Sequence, residues 1–123
     1  MSTPVRSLVA MPSVRSVPES IAFYRRLGFE VKNTFVPADH AEPTWAYLTA
    51  GGAQLMVPRR DEPGSPSPQD VLFYAYCDDV PALRRELLAA GVAAGPIQTP
   101  FYAPKGEFRI EDPDGYVIMI THT

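Results

Sequence analysis

Half-length self-similarity constrains this chain more than any other feature of its sequence. Ser16-Val17-Pro18 opens a segment that ends at Gly28, and Asp79-Val80-Pro81 opens another that ends at Gly91. The step from Val17 to Val80 and from Gly28 to Gly91 is the same, 63 residues in a chain of 123. A repeat of this length means one supersecondary unit used twice. The repeated signals are helix punctuation. Ser16 and Asp79 are N-cap types, and Glu19 three residues after Ser16 completes a capping box. Pro18 and Pro81 fall in the first turn, where a missing N–H does no harm, and each glycine sits where a left-handed C-terminal residue is wanted. Val17, Ile21, Tyr24 and Leu27 recur at helical spacing, as do Val80, Leu83, Leu87 and Ala90. Two amphipathic helices are predicted, at about 18–27 and 80–90.

Strand-like segments flank both helices. They are Val5-Met11 and Val71-Cys77 before them, and Phe29-Val36, Trp45-Leu48, Gln54-Val57, a short piece near Val92, Glu107-Glu111 and Tyr116-Thr121 after them. Each half therefore reads strand, helix, three strands, and neither half is expected to fold alone. The fold class expected is α+β, as two tandem βαβββ modules forming curved sheets around a cavity. A single domain over 1–123 would hold module 1 at about 1–58, a connector at about 59–69 rich in proline and glycine, and module 2 at about 70–123.

Composition narrows the functional classes. At 46% hydrophobic and 20% charged the chain reads as one soluble globular domain, long enough to remove roughly two thirds of its unfolded surface from water. Cys77 is the sole cysteine, so no intrachain disulfide forms. The first residues lack the apolar run of a signal peptide, and a cytoplasmic location is expected. No window approaches a membrane span, and a net charge of -3 gives no footprint for nucleic acid. Neither membrane nor nucleic acid is expected as a partner.

The pair Phe23-Tyr24 followed by Leu27-Gly28-Phe29, the strand GGAQLMV, the run YCDDVPALRRELLAAGV and the closing GEFRIEDPDGYVIMITH together resemble the vicinal oxygen chelate superfamily, whose members include glyoxalase I, extradiol dioxygenases, fosfomycin-resistance enzymes and bleomycin-resistance proteins. The resemblance covers nearly the whole chain. It implies two modules enclosing a cavity and, in the family's enzymes, a divalent metal held from the first and last strands. Carried onto this sequence, those positions fall at Val9, Leu72 and Met119, and the repeat adds Met56. All four are apolar, whereas divalent ions of this chemistry want carboxylate oxygen or imidazole nitrogen. The chain thus looks closest to the metal-free, bleomycin-resistance-like branch, and neither a metal nor a cofactor is expected.

Strand alternation then names the cavity face. With those four residues inward, Met11, Ser13, Gln54, Tyr74, Tyr76, Val117 and Thr121 share it, a mixed surface suited to a partly apolar organic molecule. Tyr74 and Tyr76 are either stacking platforms or core aromatics with wet hydroxyls. Arg109 alternates with Glu107 and Glu111 on one face, and is either a ligand contact or a partner of those carboxylates. Its offset before the DPDG turn resembles a substrate-contacting position in fosfomycin-resistance enzymes. Phe101 and Tyr102, between Pro100 and Pro104, either present rings to a ligand or pack on a partner subunit. The candidate ligand-binding set is Gln54, Tyr74, Tyr76, Arg109, Met119, Phe101 and Tyr102, with no catalytic residue assigned. His40 reads as a solvated loop residue, His122 as pointing away from the face of Met119 and Thr121, Cys77 as an inert thiol, and Asp112 and Asp114 as turn formers. The leading reading is a metal-independent, homodimeric binder of a small organic molecule, of the kind that sequesters a drug or metabolite. Its rival is an enzyme using Arg109, Glu107, Tyr74 or Gln54 for proton transfer or oxyanion stabilisation.

Overall fold

The computed structural model describes residues 7–60 and 72–123, which fall in two compact units. The expected connector lies outside the described residues except for Arg59 and Arg60. Those two are bonded into the first unit, Arg59 N–H to Thr44 O at 2.9 Å and Arg60 N–H to Val14 O at 2.8 Å.

In the first unit helix α1, Val17–Arg25, precedes strands β1, Glu30–Phe35, β2, Trp45–Ala50, and β3, Ala53–Met56. The strands form an antiparallel sheet in the order β1-β2-β3, with a register shift between Val31 and Asn33. The chain before α1 lies parallel to β3, bridging at Ala10–Leu55 and Val14–Arg59. The strand expected over 5–11 is thus reduced, among the described residues, to a bridge at Ala10. Pro12 has no N–H to continue the ladder, and pairing resumes where Val14 N–H meets Pro58 O at 2.9 Å. Buried Val14, Val17, Tyr24, Ala46, Leu48, Leu55 and Val57 are the core of this unit.

The second unit repeats the plan. Strand β4, Phe73–Tyr76, leads to helix α2, Val80–Ala89, then β5, Phe108–Glu111, and β6, Val117–Thr121. Its sheet runs β4-β6-β5, with β4 parallel to β6 and β5 antiparallel to it. The short strand expected near Val92 pairs later. Val92 N–H is used by Leu87 O at the end of α2, and the bridge to β5's side forms at Gln98–Glu107. The fold is mixed α+β, two three-stranded sheets with two helices among the described residues.

The register confirms the repeat. Ala10 pairs with Leu55, and Phe73 with Ile118, both partners displaced by 63 residues. The hairpins differ by one residue. Gly51-Gly52 alone joins β2 to β3, whereas three residues separate Asp112 from Tyr116, whose carbonyl accepts from Asp112 N–H at 3.0 Å. Upstream of that turn the spacing drops to 62, so Tyr47–Met56 corresponds to Arg109–Met119. Val9 and Leu72 each precede the paired residue, Ala10 or Phe73, and so occupy matching places on the same face of their own sheets.

Caps fix the helices where the sequence puts them. Ser16 Oγ accepts from Glu19 N–H at 3.2 Å and Asp79 Oδ1 from Ala82 N–H at 3.0 Å. Gly28 and Gly91 follow with φ of 91° and 87°. On β5 and β6, Phe108, Ile110, Ile118 and Ile120 alternate into the core with Leu87 of α2 in the same buried set. Each such side chain contributes about 1.5–3 kcal/mol on burial.

Gly106 offers a test of this packing. Its φ is 104°, and a Cβ there would lie 2.7 Å from Ile97 Cγ2, whereas nothing lies within 4 Å of a Cβ on Gly28. Gly28→Ala is expected to cost about 1–2 kcal/mol from backbone strain alone. Gly106→Ala adds overpacking and should cost a further 1 kcal/mol or roughly so, read as a lower denaturation midpoint at unchanged slope.

Candidate functional site

Strand β4 shows the consequence of alternation most plainly. Phe73 and Ala75 are half-buried while Leu72, Tyr74 and Tyr76 are exposed on the other face, Tyr74 at 45% and Tyr76 at 62%. The two tyrosine rings stand 6.4 Å apart at 28° to one another. Parallel pairing sets Met119 beside Tyr74, and antiparallel pairing sets Arg109 beside Met119. Tyr74, Met119 and Arg109 are therefore neighbours in one row across three strands, all on the face away from buried Phe108 and Ile120. Gln54, half-buried on β3 opposite Thr49, belongs to the first unit.

Phe101 and Tyr102 project from a tight loop. Ala103 N–H bonds Pro100 O and Gly106 N–H bonds Ala103 O, both at 2.9 Å, yet Phe101 is 95% exposed and Tyr102 60%. Their rings meet edge to face with centroids 5.5 Å apart. The loop is tied down twice more. His122 Nε2 accepts from Lys105 N–H at 2.9 Å, and the Tyr102 hydroxyl donates to Glu107 Oε1 at 3.0 Å. That bond to a carboxylate is the main reason the Tyr102 phenol is pushed above its ordinary pKa, with burial and the charges of Glu107 and Tyr74 adding to it.

Sequence reasoning treated Glu107, Arg109 and Glu111 as one alternating charged face. Their surroundings differ. Arg109 donates to Glu111 Oε1 at 3.1 Å, and both side chains are more than half exposed. Such a pair contributes little to stability. Glu107 is only 5% exposed, and its Oε2 is buried without a hydrogen-bond partner. It lies beside Gly106, which is buried and whose carbonyl accepts from Thr121 Oγ1 at 3.3 Å. The missing signal was Tyr102, because nothing in strand alternation says that a loop residue five positions earlier will bond the carboxylate.

An open groove of about 540 Å³ runs along β5, lined by 93–95 on one side and 109–112 on the other. Arg84 Nε–H holds one wall by donating to Gly95 O at 2.8 Å. Of the candidate residues only Arg109 reaches it. Asp112 is committed to the turn, its Oδ1 accepting from Asp114 N–H and Tyr116 N–H, each at 2.9 Å. His122, expected to point away from the cavity face, is used as a loop anchor. His40 bonds Asp39 Oδ1 at 2.9 Å and lies 3.4 Å from an Arg59 nitrogen. Burial pushes the Cys77 thiol up, away from nucleophilic character, with Asp78 and Asp79 adding to the shift against a lowering backbone hydrogen bond.

The divalent metal that the fold's enzymes carry does not fit the residues present. Val9, Leu72, Met56 and Met119 supply hydrocarbon and thioether where a hard ion needs anionic oxygen or imidazole. Among the described residues no group of three or more His, Cys, Asp or Glu side chains is arranged to hold an ion.

The Tyr102–Glu107 bond has a titration signature. A tyrosine whose folded pKa is raised holds its proton more tightly when folded, so its stabilisation is complete below the unfolded value near 10 and disappears as pH rises through the folded value. In wild type, stability is expected to fall across that window, with one tyrosine ionising late by ultraviolet absorbance. Tyr102→Phe should remove both the late step and that part of the alkaline slope.

Solved structures similar to this chain share its fold at low identity. The bleomycin resistance determinant encoded on transposon Tn5 superposes with a TM-score of 0.70 at 19% identity, covering 97% of this chain and 98% of that one. A bleomycin-binding protein solved in complex with bleomycin gives 0.69 at 19%, covering 97% and 99%. TioX from Micromonospora sp. ML1 gives 0.74 at 21%, covering 96% and 98%. No curated protein matches the sequence significantly. The model of one family matches residues 10–120, nearly the whole chain, from Ala10 on its first bridge to Ile120 on its last strand. The chain belongs to the Glyoxalase/Bleomycin resistance protein/Dioxygenase superfamily.

Proposed function

We propose that this protein binds a small organic molecule without a divalent metal, as a homodimer in the cytoplasm. The observation that carries the reading is the open face of the second sheet. Tyr74 and Tyr76 stand parallel and exposed there, beside Met119 and Arg109. Exposed aromatic rings on a well-paired sheet give a flat, polarizable surface with hydroxyl handles, which suits a planar organic ligand better than an ion. Apolar residues at the four positions where enzymes of the fold anchor a metal support the same reading. So does the family's bleomycin-binding member, a protein known in complex with its drug. Gln54, Phe101 and Tyr102 complete the proposed contact set.

An enzymatic reading has one observation in its favour, the buried Glu107 carboxylate bonded to a phenol, a pair able to relay a proton. Binding is the better reading because Tyr102 and Glu107 are engaged with each other, whereas Tyr74, Met119 and Arg109 form one row across the open face.

A panel of organic compounds screened by melting temperature, followed by product analysis of every hit, separates the two. Binding predicts hits recovered unchanged, and a melting shift that follows ligand concentration by mass action. Tyr74→Ala and Tyr76→Ala should each weaken a hit about tenfold, the loss of one ring's stacking contact. Turnover of a hit would establish the enzyme, and a melting temperature insensitive to every compound would end both readings. Mg²⁺, Mn²⁺, Ni²⁺ and Zn²⁺ should neither bind stoichiometrically nor alter the affinity for a hit.

A further inference from the structure

The Glu107 carboxylate is the group in the second unit whose surroundings least explain it. Its Oε1 accepts one hydrogen bond, from Tyr102, and its Oε2 is buried with none. A carboxylate removed from water is costly unless paired, and each bond it lacks leaves desolvation uncompensated. The nearest cation along the strand does not neutralise it. Arg109, two residues away on the same face, bonds Glu111 instead, and Lys105 forms no ion pair with it among the described residues. What does surround it is aromatic. Tyr102 bonds it directly, and the register of β5 on β6 sets Glu107 opposite Thr121, which pairs with Tyr76 of β4, so Tyr76 and the Tyr74 ring stacked on it share its face.

A carboxylate short of donors beside a cluster of phenol rings is the chemistry that recognises an organic cation. The carboxylate supplies charge and a directed acceptor, while ring faces attract the cation through their quadrupoles and cover its apolar part. We propose that Glu107, with Tyr102, Tyr74 and Tyr76, forms a subsite for the positively charged end of the ligand, a planar amidinium or guanidinium or a protonated amine. The proposal rests on the binding function above and specifies the charge of what is bound. Tyr102 is the movable part. It is more than half exposed and holds the carboxylate by one bond, so rotating it away opens Glu107 to a cation whose N–H groups satisfy both oxygens. The net charge of -3 favours the approach of a cation from solution.

Benzamidine and its neutral isostere benzamide test the subsite directly, measured by calorimetry on the full chain. Wild type is expected to bind benzamidine at least about tenfold more tightly than benzamide. Glu107→Gln, which keeps the shape and removes the charge, should erase that preference while leaving benzamide unchanged. Tyr102→Phe should enlarge it, because the carboxylate loses its one competing donor, and this variant serves if Glu107→Gln does not fold. Equal binding of the two probes, or a preference that survives Glu107→Gln or shrinks in Tyr102→Phe, overturns the subsite and leaves the wider binding function standing. Binding of neither probe overturns the subsite as well, and the binding function then stands or falls on the compound panel alone.

Discussion

Parallel strands cannot be joined by a tight turn, and that restriction organises both units of this protein. The first strand of each unit lies parallel to the last, at Ala10–Leu55 and along Phe73–Thr121, so the chain must leave the sheet and return by a crossover. α1 and α2 begin those crossovers. They need sharp starts and stops, which is why Ser16 and Asp79 cap them and why Gly28 and Gly91 take positive φ just beyond their ends. Once α2 sits over one face, side-chain alternation has only one outcome. Phe108, Ile110, Ile118 and Ile120 are buried, and Tyr74, Tyr76, Met119 and Arg109 are carried to the opposite face. The candidate site is what the crossover leaves uncovered.

Much of this architecture could be read from the residues because its signals are local and doubled. Caps, first-turn prolines and C-terminal glycines each occur twice, and an error in one half would have broken the 63-residue spacing. The places where reading failed are those where a long-range partner decides. Strand alternation groups Glu107 with Arg109 and Glu111, but only Glu107 is buried, where the loop carrying Tyr102 folds back to bond it and Thr121 of β6 bonds the carbonyl of its neighbour Gly106. The one-residue difference between the hairpins was equally hidden. Gly51-Gly52 and Asp114-Gly115 align at the common spacing, and the extra residue becomes visible only when Asp112 is seen pairing with Tyr116. For His122, alternation gives a direction but not the loop at Lys105 that meets it.

Apolar Leu72 and Met119 in the second unit bear on more than whether a metal could be held on its open face. A bound divalent ion would fix the charge of its surroundings and shift the pKa values of groups around it. Where none is held, the local field in the second unit would be set by its own side chains, and among these Glu107 has a buried oxygen without a hydrogen-bond partner. Thioether and phenol groups then provide contact area that is polarizable but not ionic, so selectivity has to come from the few charged groups among them.

Those charged groups divide in a way that energetics explains. Arg109 stands between two carboxylates of one strand face and bonds Glu111, the exposed one. Turning toward Glu107 would take the guanidinium out of water, a penalty that for charged groups commonly matches the attraction gained. Pairing with Glu111 leaves both partners solvated and contributes roughly 0–1 kcal/mol. The chain's own cation thus has little to gain by neutralising Glu107. A ligand of the proposed kind would differ, because burying its aromatic part against Tyr74 and Tyr76 in the same event would offset the desolvation of its charge. Glu107 is therefore better suited to a cation that arrives attached to an aromatic body than to any cation the strand itself carries.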